Sequence, residues 1–248
     1  MGGVSTSLPD SPSVAIDSDH PLLYATPGFI GSTFIALGSL GVGWFPLSAN
    51  VLNNAIIRYL HTESLGLALS RSLVIIGVAL LLQAWLIVGV DALKGRISGL
   101  RTMYLALAAW CFPLLFAPPL FSRDVYSYFM QGRLQNAGFD PYTNGVSLIP
   151  GWFRSGVDPL WGDAPSPYGP IFLGLERLVA FLTPQSSLIG SYLFKLMSVC
   201  ALVGLAWIIP RLARMHGINA APALWLSVMN PLGIMHFVAG EHNDALLI

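Results

Sequence analysis

Two short polar runs in this sequence hold residues whose types could do chemistry together. The first is Asp124, within Phe121-Ser122-Arg123-Asp124-Val125-Tyr126-Ser127-Tyr128, directly after an apolar stretch. A carboxylate at the edge of a membrane can be half-shielded from water and still open onto a polar cavity. Partial desolvation raises its pKa and strengthens it as a base. A local reading competes with this one: Ser122 or Asp124 opens the amphipathic helix that follows, and Arg123 anchors it at an interface. The second run is Glu241-His242-Asn243-Asp244, at the start of another apolar segment. A helix cap at Asn243 or Asp244 explains one of these residues but not the run as a whole. His236, His242 and Asp244 are metal-ligand types, but no tight ligand spacing joins them. No metal site is expected, and a divalent-metal requirement is left open.

Other polar residues are candidates for binding. Lys195 lies about two turns into an apolar run. It either snorkels to the interface or supplies a cation to a lipid-linked phosphate. Arg177, beside Glu176, reads as an interfacial pair. Asp140-Pro141-Tyr142 and Ser166-Pro167-Tyr168-Gly169-Pro170 are turn sequences with aromatics. Tyrosines next to carboxylates are also what sugar-binding clefts use, because a flat ring stacks on the C–H face of a pyranose. The chain holds no phosphate-binding glycine loop, nucleotide fingerprint, CxxC or GxSxG.

The elements that must position these residues follow from composition. Of 248 residues, 54% are hydrophobic and only 10% charged, where soluble domains carry about 25% charged residues. An ordinary cytosolic enzyme is excluded, and a polytopic membrane protein is expected. Twelve basic residues balance twelve acidic ones, which gives no reason to invoke nucleic acid. Cys111 and Cys200 lie in apolar runs and read as packing residues.

The expected fold is an all-α transmembrane bundle with a long extracytoplasmic loop. Residues 1–28 read as a disordered cytoplasmic tail. Residues 29–121 should hold three membrane helices, near 29–47, 72–90 and 102–121, with Pro113, Pro118 and Pro119 kinking or ending the third. Residues 122–186 form the extracytoplasmic loop. Within it, Asp124 to Ala137 is predicted as an amphipathic helix with Val125, Phe129 and Leu134 opposite Asp124, Gln131 and Gln135. Residues 187–248 should give two membrane helices, near 187–210 and 218–238, a second outer loop and the start of a truncated helix at Ala245. The basic loops, with Lys94, Arg96 and Arg101 and then Arg211, Arg214 and His216, belong on the cytoplasmic side. Both stay there only if 170–182 is interfacial or re-entrant and does not span. That arrangement brings Glu241–Asp244 to the same face as Asp124. The abrupt end at Ile248 suggests a fragment.

Taken in order, Phe121-Ser-Arg-Asp-Val-Tyr-Ser-Tyr, Gly138-Phe-Asp-Pro-Tyr, Ser166-Pro-Tyr-Gly-Pro, Asn230-Pro-Leu and Gly240-Glu-His-Asn-Asp-Ala resemble the actinobacterial polyprenol-phosphomannose-dependent α-(1→6)-mannopyranosyltransferases. These are GT-C type membrane glycosyltransferases that build lipomannan. The resemblance runs from about residue 29 onward, and family members are about twice as long. It implies a plasma-membrane, multi-pass enzyme with its active site on the extracytoplasmic face and Asp124 as the catalytic carboxylate. It implies substrate contacts from Glu241, His242, Asn243 and Asp244, and the residue reading adds Arg123, Tyr126, Asp140, Tyr142, Tyr168 and Lys195 as expected contacts. The donor would be polyprenyl-phosphate mannose and the acceptor a mannan or glycolipid, with no further cofactor. Lys195, Arg123 and His242 would hold the departing phosphate. A transferase for another polyprenyl-phosphate sugar, a lipid-linked saccharide transporter and a non-catalytic partner subunit are the rival readings.

Overall fold

A computed structural model describes residues 21–97 and 99–246, and these are helical with connecting turns and no strand. The helices are α1 (Pro21–Val42), α2 (Ala55–Thr62), α3 (Ser64–Leu93), α4 (Leu100–Cys111), α5 (Asp124–Asn136), α6 (Pro170–Leu182), α7 (Ser187–Met215), α8 (Ala220–Ser227) and α9 (Pro231–Ile234). One π turn, Met235–Ala239, continues α9. Helices α1, α3 and α7 are each long and apolar enough to cross a membrane. The pair α8 and α9, bent by 48°, makes a fourth crossing if taken as one broken span.

Several boundaries differ from the sequence expectation. The first helix starts at Pro21, so residues 21–28 are not part of a tail, while 1–20 lie outside the described residues. Tyr24 and Gly28 are drawn into the bundle, where Trp110 Nε1 donates to the Tyr24 carbonyl at 3.1 Å and a Cβ on Gly28 would strike the Trp110 ring. That packing outweighs the weak local signal. The second apolar helix extends back to Ser64 and takes in Arg71. The third does not reach 121: it stops at Cys111 where Pro113, one of the prolines expected to end it, opens a 3₁₀ turn over Pro113–Phe116, because proline cannot donate the next helical bond. A 3₁₀ turn covers Asn243–Leu246, and the rest of the expected terminal helix lies outside the described residues.

Small residues let the long helices approach. Gly31 and Gly77 face each other across the α1–α3 contact, where a Cβ on either would meet the other's carbonyl. Side-chain contacts fix which ends lie together. At one end, the Tyr24 hydroxyl donates to Asp91 at 3.1 Å. Trp85 and Trp225 stack at 4.7 Å and each donates its indole N–H to the other's carbonyl. The basic segment after α3 and the basic last turns of α7 belong to this end. At the other end, Trp44 N donates to the Pro119 carbonyl at 2.8 Å and Leu120 N to the Ala239 carbonyl at 2.9 Å.

Helices α5 and α6 lie across that second end. Gly132 on α5 sits against the backbone carbonyl of Glu176 on α6. Gln135 Nε2 and Asn136 Nδ2 donate to the Leu173 and Arg177 carbonyls at 3.0 and 3.2 Å. Helix α5 is not a surface amphipathic helix. Gln131 is buried along with Val125, Phe129 and Leu134, because α6 and the 164–168 loop before it cover the polar side. Glu176 and Arg177 do not pair with each other: Glu176 is sealed inside, while exposed Arg177 donates to Asn136 Oδ1 at 3.3 Å.

Candidate active site

Asp124 is the first residue of α5, with its backbone N–H held by Ser122 Oγ at 3.0 Å. The N-cap is Arg123 and makes no side-chain cap bond, so neither Ser122 nor Asp124 caps the helix; the Ser122 turn engages only the backbone and leaves the Asp124 carboxylate to other contacts. The carboxylate is a third exposed and lines a cleft of about 210 Å³ with Ser127, Gln131, Trp161, Pro167 and Tyr168. Asp124, Ser127 and Gln131 share one face of α5 through i, i+3 and i+7 spacing. Ser127 and Gln131 were missed as site residues in the sequence, although that spacing could have found them. Ser127 Oγ is buried without a hydrogen-bond partner. In a cleft wall, such a hydroxyl is free for a ligand or water.

The turn residues divide. Tyr168 reaches the cleft and packs edge-to-face on Tyr128 at 5.3 Å. Burial pushes the hydroxyls of both tyrosines above their usual range. Asp140 and Tyr142 do not line the cleft. Asp140 closes its own turn by accepting from Tyr142 N at 2.9 Å. The turn supports the cleft from behind, since Ser166 N donates to the Pro141 carbonyl at 2.8 Å. Gln131, with its amide turned to satisfy its neighbours, donates to Ser166 Oγ at 2.8 Å and to Glu176 at 3.2 Å.

The second polar run arrives beside Asp124 through strained backbone. Phe121 and Glu241 are the described non-glycine residues with positive φ, at 72° and 59°. Such conformations persist only where surrounding contacts impose them. The bond from Leu120 N to the Ala239 carbonyl ties the two loops together next to both residues. The π turn just before Gly240 adds a further local departure from α geometry.

With the loops joined, His242 Nδ1 stands 3.9 Å from Asp124 Oδ2. Burial, and then the neighbouring His236, hold the His242 pKa below its ordinary value despite the nearby carboxylates. The His236 and His242 rings stack at 4.0 Å, and His236 Nε2 lies 3.4 Å from Asp244 Oδ2. The Tyr128 hydroxyl donates to Asn243 Oδ1 at 3.3 Å, leaving buried Asn243 Nδ2 unpartnered. The fold thus gathers His236, His242 and Asp244, which the sequence spacing did not.

The expected phosphate-holding cations are otherwise engaged. Lys195 turns inward with 2% exposure, donating to the Leu114 carbonyl at 3.0 Å and to the Ala117 carbonyl. Its ammonium lies 3.1 Å from Glu241 Oε1. Glu241 itself is sealed, and burial pushes its carboxyl up to about 7 against the pull of Lys195. Neither residue opens on the cleft. Arg123 is paired with Asp158 at 2.9 Å and lies over the Trp44 ring at 4.7 Å. Asp158 also accepts from Leu160 N at 3.0 Å. That bond, reinforced by Arg123, holds its carboxyl below the usual range. Tyr126 is fully buried and donates to the Trp44 carbonyl at 2.8 Å, tying α5 to the end of α1.

Comparison with known proteins gives a consistent family match. The family model described as "Alpha-(1->6)-mannopyranosyltransferase, N-terminal domain" matches residues 25–248. Alpha-(1->6)-mannopyranosyltransferase A of Mycobacterium tuberculosis is 36% identical over 221 residues, 89% of this chain and 42% of that protein. The proteins of the same name with suffixes A and B in Corynebacterium glutamicum are 34% and 31% identical. They match over 86% and 89% of this chain and 45% and 38% of their own lengths. The chain therefore spans less than half the length of these relatives. No solved structure matches.

Proposed function

The chain belongs to the α-(1→6)-mannopyranosyltransferase family, and on that premise we propose that it carries the catalytic end of a membrane mannosyltransferase. The enzyme moves mannose from polyprenyl-phosphate mannose to an α-(1→6)-mannan or glycolipid acceptor. Asp124 is the general base. The observation that carries this reading is the free Asp124 carboxylate in a polar, tyrosine-lined cleft, with His242 at 3.9 Å.

The chemistry follows from the donor. A β-linked mannosyl phosphate already has a good leaving group, so no acid is needed to protonate it. The bond from the anomeric carbon to the phosphate oxygen breaks, and its electron pair leaves with the phosphate. The acceptor hydroxyl attacks from the opposite face, giving an α product, and Asp124 takes its proton late in an oxocarbenium-like transition state. Ser127, Gln131 and Tyr168 supply a hydroxyl, an amide and a ring face to the sugar. Lys195 and Glu241 act from behind, holding the 240–244 loop on α7 and on the 113–117 turn. Arg123 fixes the entrance to α5 through Asp158 and Trp44.

Charge bias supports an extracytoplasmic active site. Lys94 and Arg96 follow α3, Arg101 opens α4, and Arg211 and Arg214 sit in the last turns of α7, all at the end away from Asp124, where the positive-inside bias favours the cytoplasm. Helix α6 then rests at the outer interface, and the apolar surfaces of α1, α3 and α7 meet the bilayer.

The test uses the full-length protein in membranes, with labelled polyprenyl-phosphate mannose and an α-mannoside acceptor. Asp124→Asn should lower transfer by about 10²–10⁴-fold, the range for loss of a general base. Undiminished transfer would remove the assignment.

A further inference from the structure

We propose that His236, His242 and Asp244 form a divalent-cation site at the edge of the Asp124 cleft, and that the ion takes the phosphate of the lipid-linked donor. The phosphate role rests on the function proposed above; the binding site does not.

The three residues each present a ligand atom, and these atoms lie within 4.8 Å of one another. Two imidazoles and one carboxylate are a donor set for first-row divalent ions. Three protein ligands leave room for an exogenous oxygen, as at catalytic metal centres. The side chains of His236 and Asp244 are exposed, at 45% and 58%, so the vacant side opens outward. Stacked rings cannot both direct nitrogen lone pairs at one ion. Ligation therefore requires one ring to turn, and exposed His236 has the freedom to do so. The backbone supplies the approach. The π turn over 235–239 and the left-handed Glu241 bring 242 and 244 back onto 236.

Charge gives the independent argument. A departing phosphate needs positive charge. None of the residues lining the Asp124 cleft is a cation. Lys195 is sealed under Glu241 and two carbonyls, and Arg123 is paired with Asp158. His236 also lines an apolar groove of about 480 Å³ between α7 and the α8–α9 pair, with Leu202, Leu205, Ile209, Val228 and Phe237. An ion on His236 stands where that apolar surface meets the polar loop beside Asp124.

The full-length protein, purified in detergent and stripped with a chelator, is titrated with Co²⁺ alone. The expected result is a visible d–d absorption that saturates at one equivalent and is displaced by Zn²⁺. His236→Ala and Asp244→Ala should each weaken uptake at least tenfold, Asp244→Glu should retain it, and His216→Ala, at the opposite end, should not change it. A prenyl phosphate should perturb the spectrum. Stripping should stop transfer, and Co²⁺ or Zn²⁺ should restore it. Absence of a saturable Co²⁺ signal, or unchanged affinity in both alanine variants, overturns the site. Full transfer by stripped enzyme overturns the phosphate role. Asp124→Asn should keep Co²⁺ uptake while losing transfer, so failure of the metal site and failure of the base assignment are read separately.

Discussion

Lys195 on α7 and Glu241 in the loop after α9 approach to 3.1 Å with both side chains sealed from solvent. The lysine is satisfied by the Leu114 and Ala117 carbonyls, whereas neither Glu241 oxygen has an aligned hydrogen-bond donor. The pair joins the 113–117 turn, α7 and the second polar run at one point, and it withdraws the cation that the apolar setting of Lys195 had suggested for substrate.

Breaking this pair from one side leaves a buried group uncompensated, which costs about 3–5 kcal/mol. Lys195→Met should therefore lower the apparent Tm of the detergent-solubilised protein sharply. Adding Glu241→Gln should recover part of the loss, because the remaining carboxylate is then neutralised. Purely additive Tm losses in the double variant would show that the two residues are not coupled.

Ser127 offers a cleft hydroxyl with no partner of its own. Ser127→Ala should leave the Tm unchanged, since no internal hydrogen bond is lost. It should weaken sugar handling by about tenfold, the value of roughly one hydrogen bond, read as the kcat/KM for donor or acceptor. Unchanged kcat/KM would exclude the hydroxyl from substrate contact.

Glu176 is sealed between α5 and α6, and burial raises its carboxyl well above 4.5. The folded state then binds a proton that the unfolded chain has released. Its stabilising contribution is complete below the unfolded value and is lost as pH rises toward the folded value. Above the ordinary carboxylate range the wild-type Tm should fall as pH rises, with a slope that Glu176→Gln flattens. The neutral amide keeps Gln131 company without the charge. An identical slope in both proteins would place the titration elsewhere.

Topology can be read with thiol reagents in a variant lacking Cys111 and Cys200. A cysteine at exposed Gln185, between α6 and α7, should react with an impermeant reagent in intact cells. One at exposed His216, after α7, should react only once the membrane is opened. Protection of position 185 in intact cells would put α6 across the bilayer, and reverse labelling would turn the whole bundle over.

The apolar runs, their glycines and the basic connections were readable in the sequence, because helix periodicity and membrane length are local properties. Asp124 at a helix start, the Glu241–Asp244 run and the family motifs were equally local. Helix ends were less so. The start of α1 depends on Trp110 packing over Gly28, whereas the stop of α4 before Pro113 was legible from the proline itself. Ser127 and Gln131 were visible as a helical face, but nothing in the sequence said that the loop at 164–168 would cover it.

Only tertiary structure decided which polar groups remain free. Lys195 and Arg123 look like substrate cations until Glu241 and Asp158 are found against them, and His236, His242 and Asp244, ligand types without a tight spacing, come together only in the fold. Side-chain type and spacing specify what a residue can do. Whether a charge is already neutralised depends on contacts between distant segments, and here Asp158 stands against Arg123 and Glu241 against Lys195 only in the folded chain.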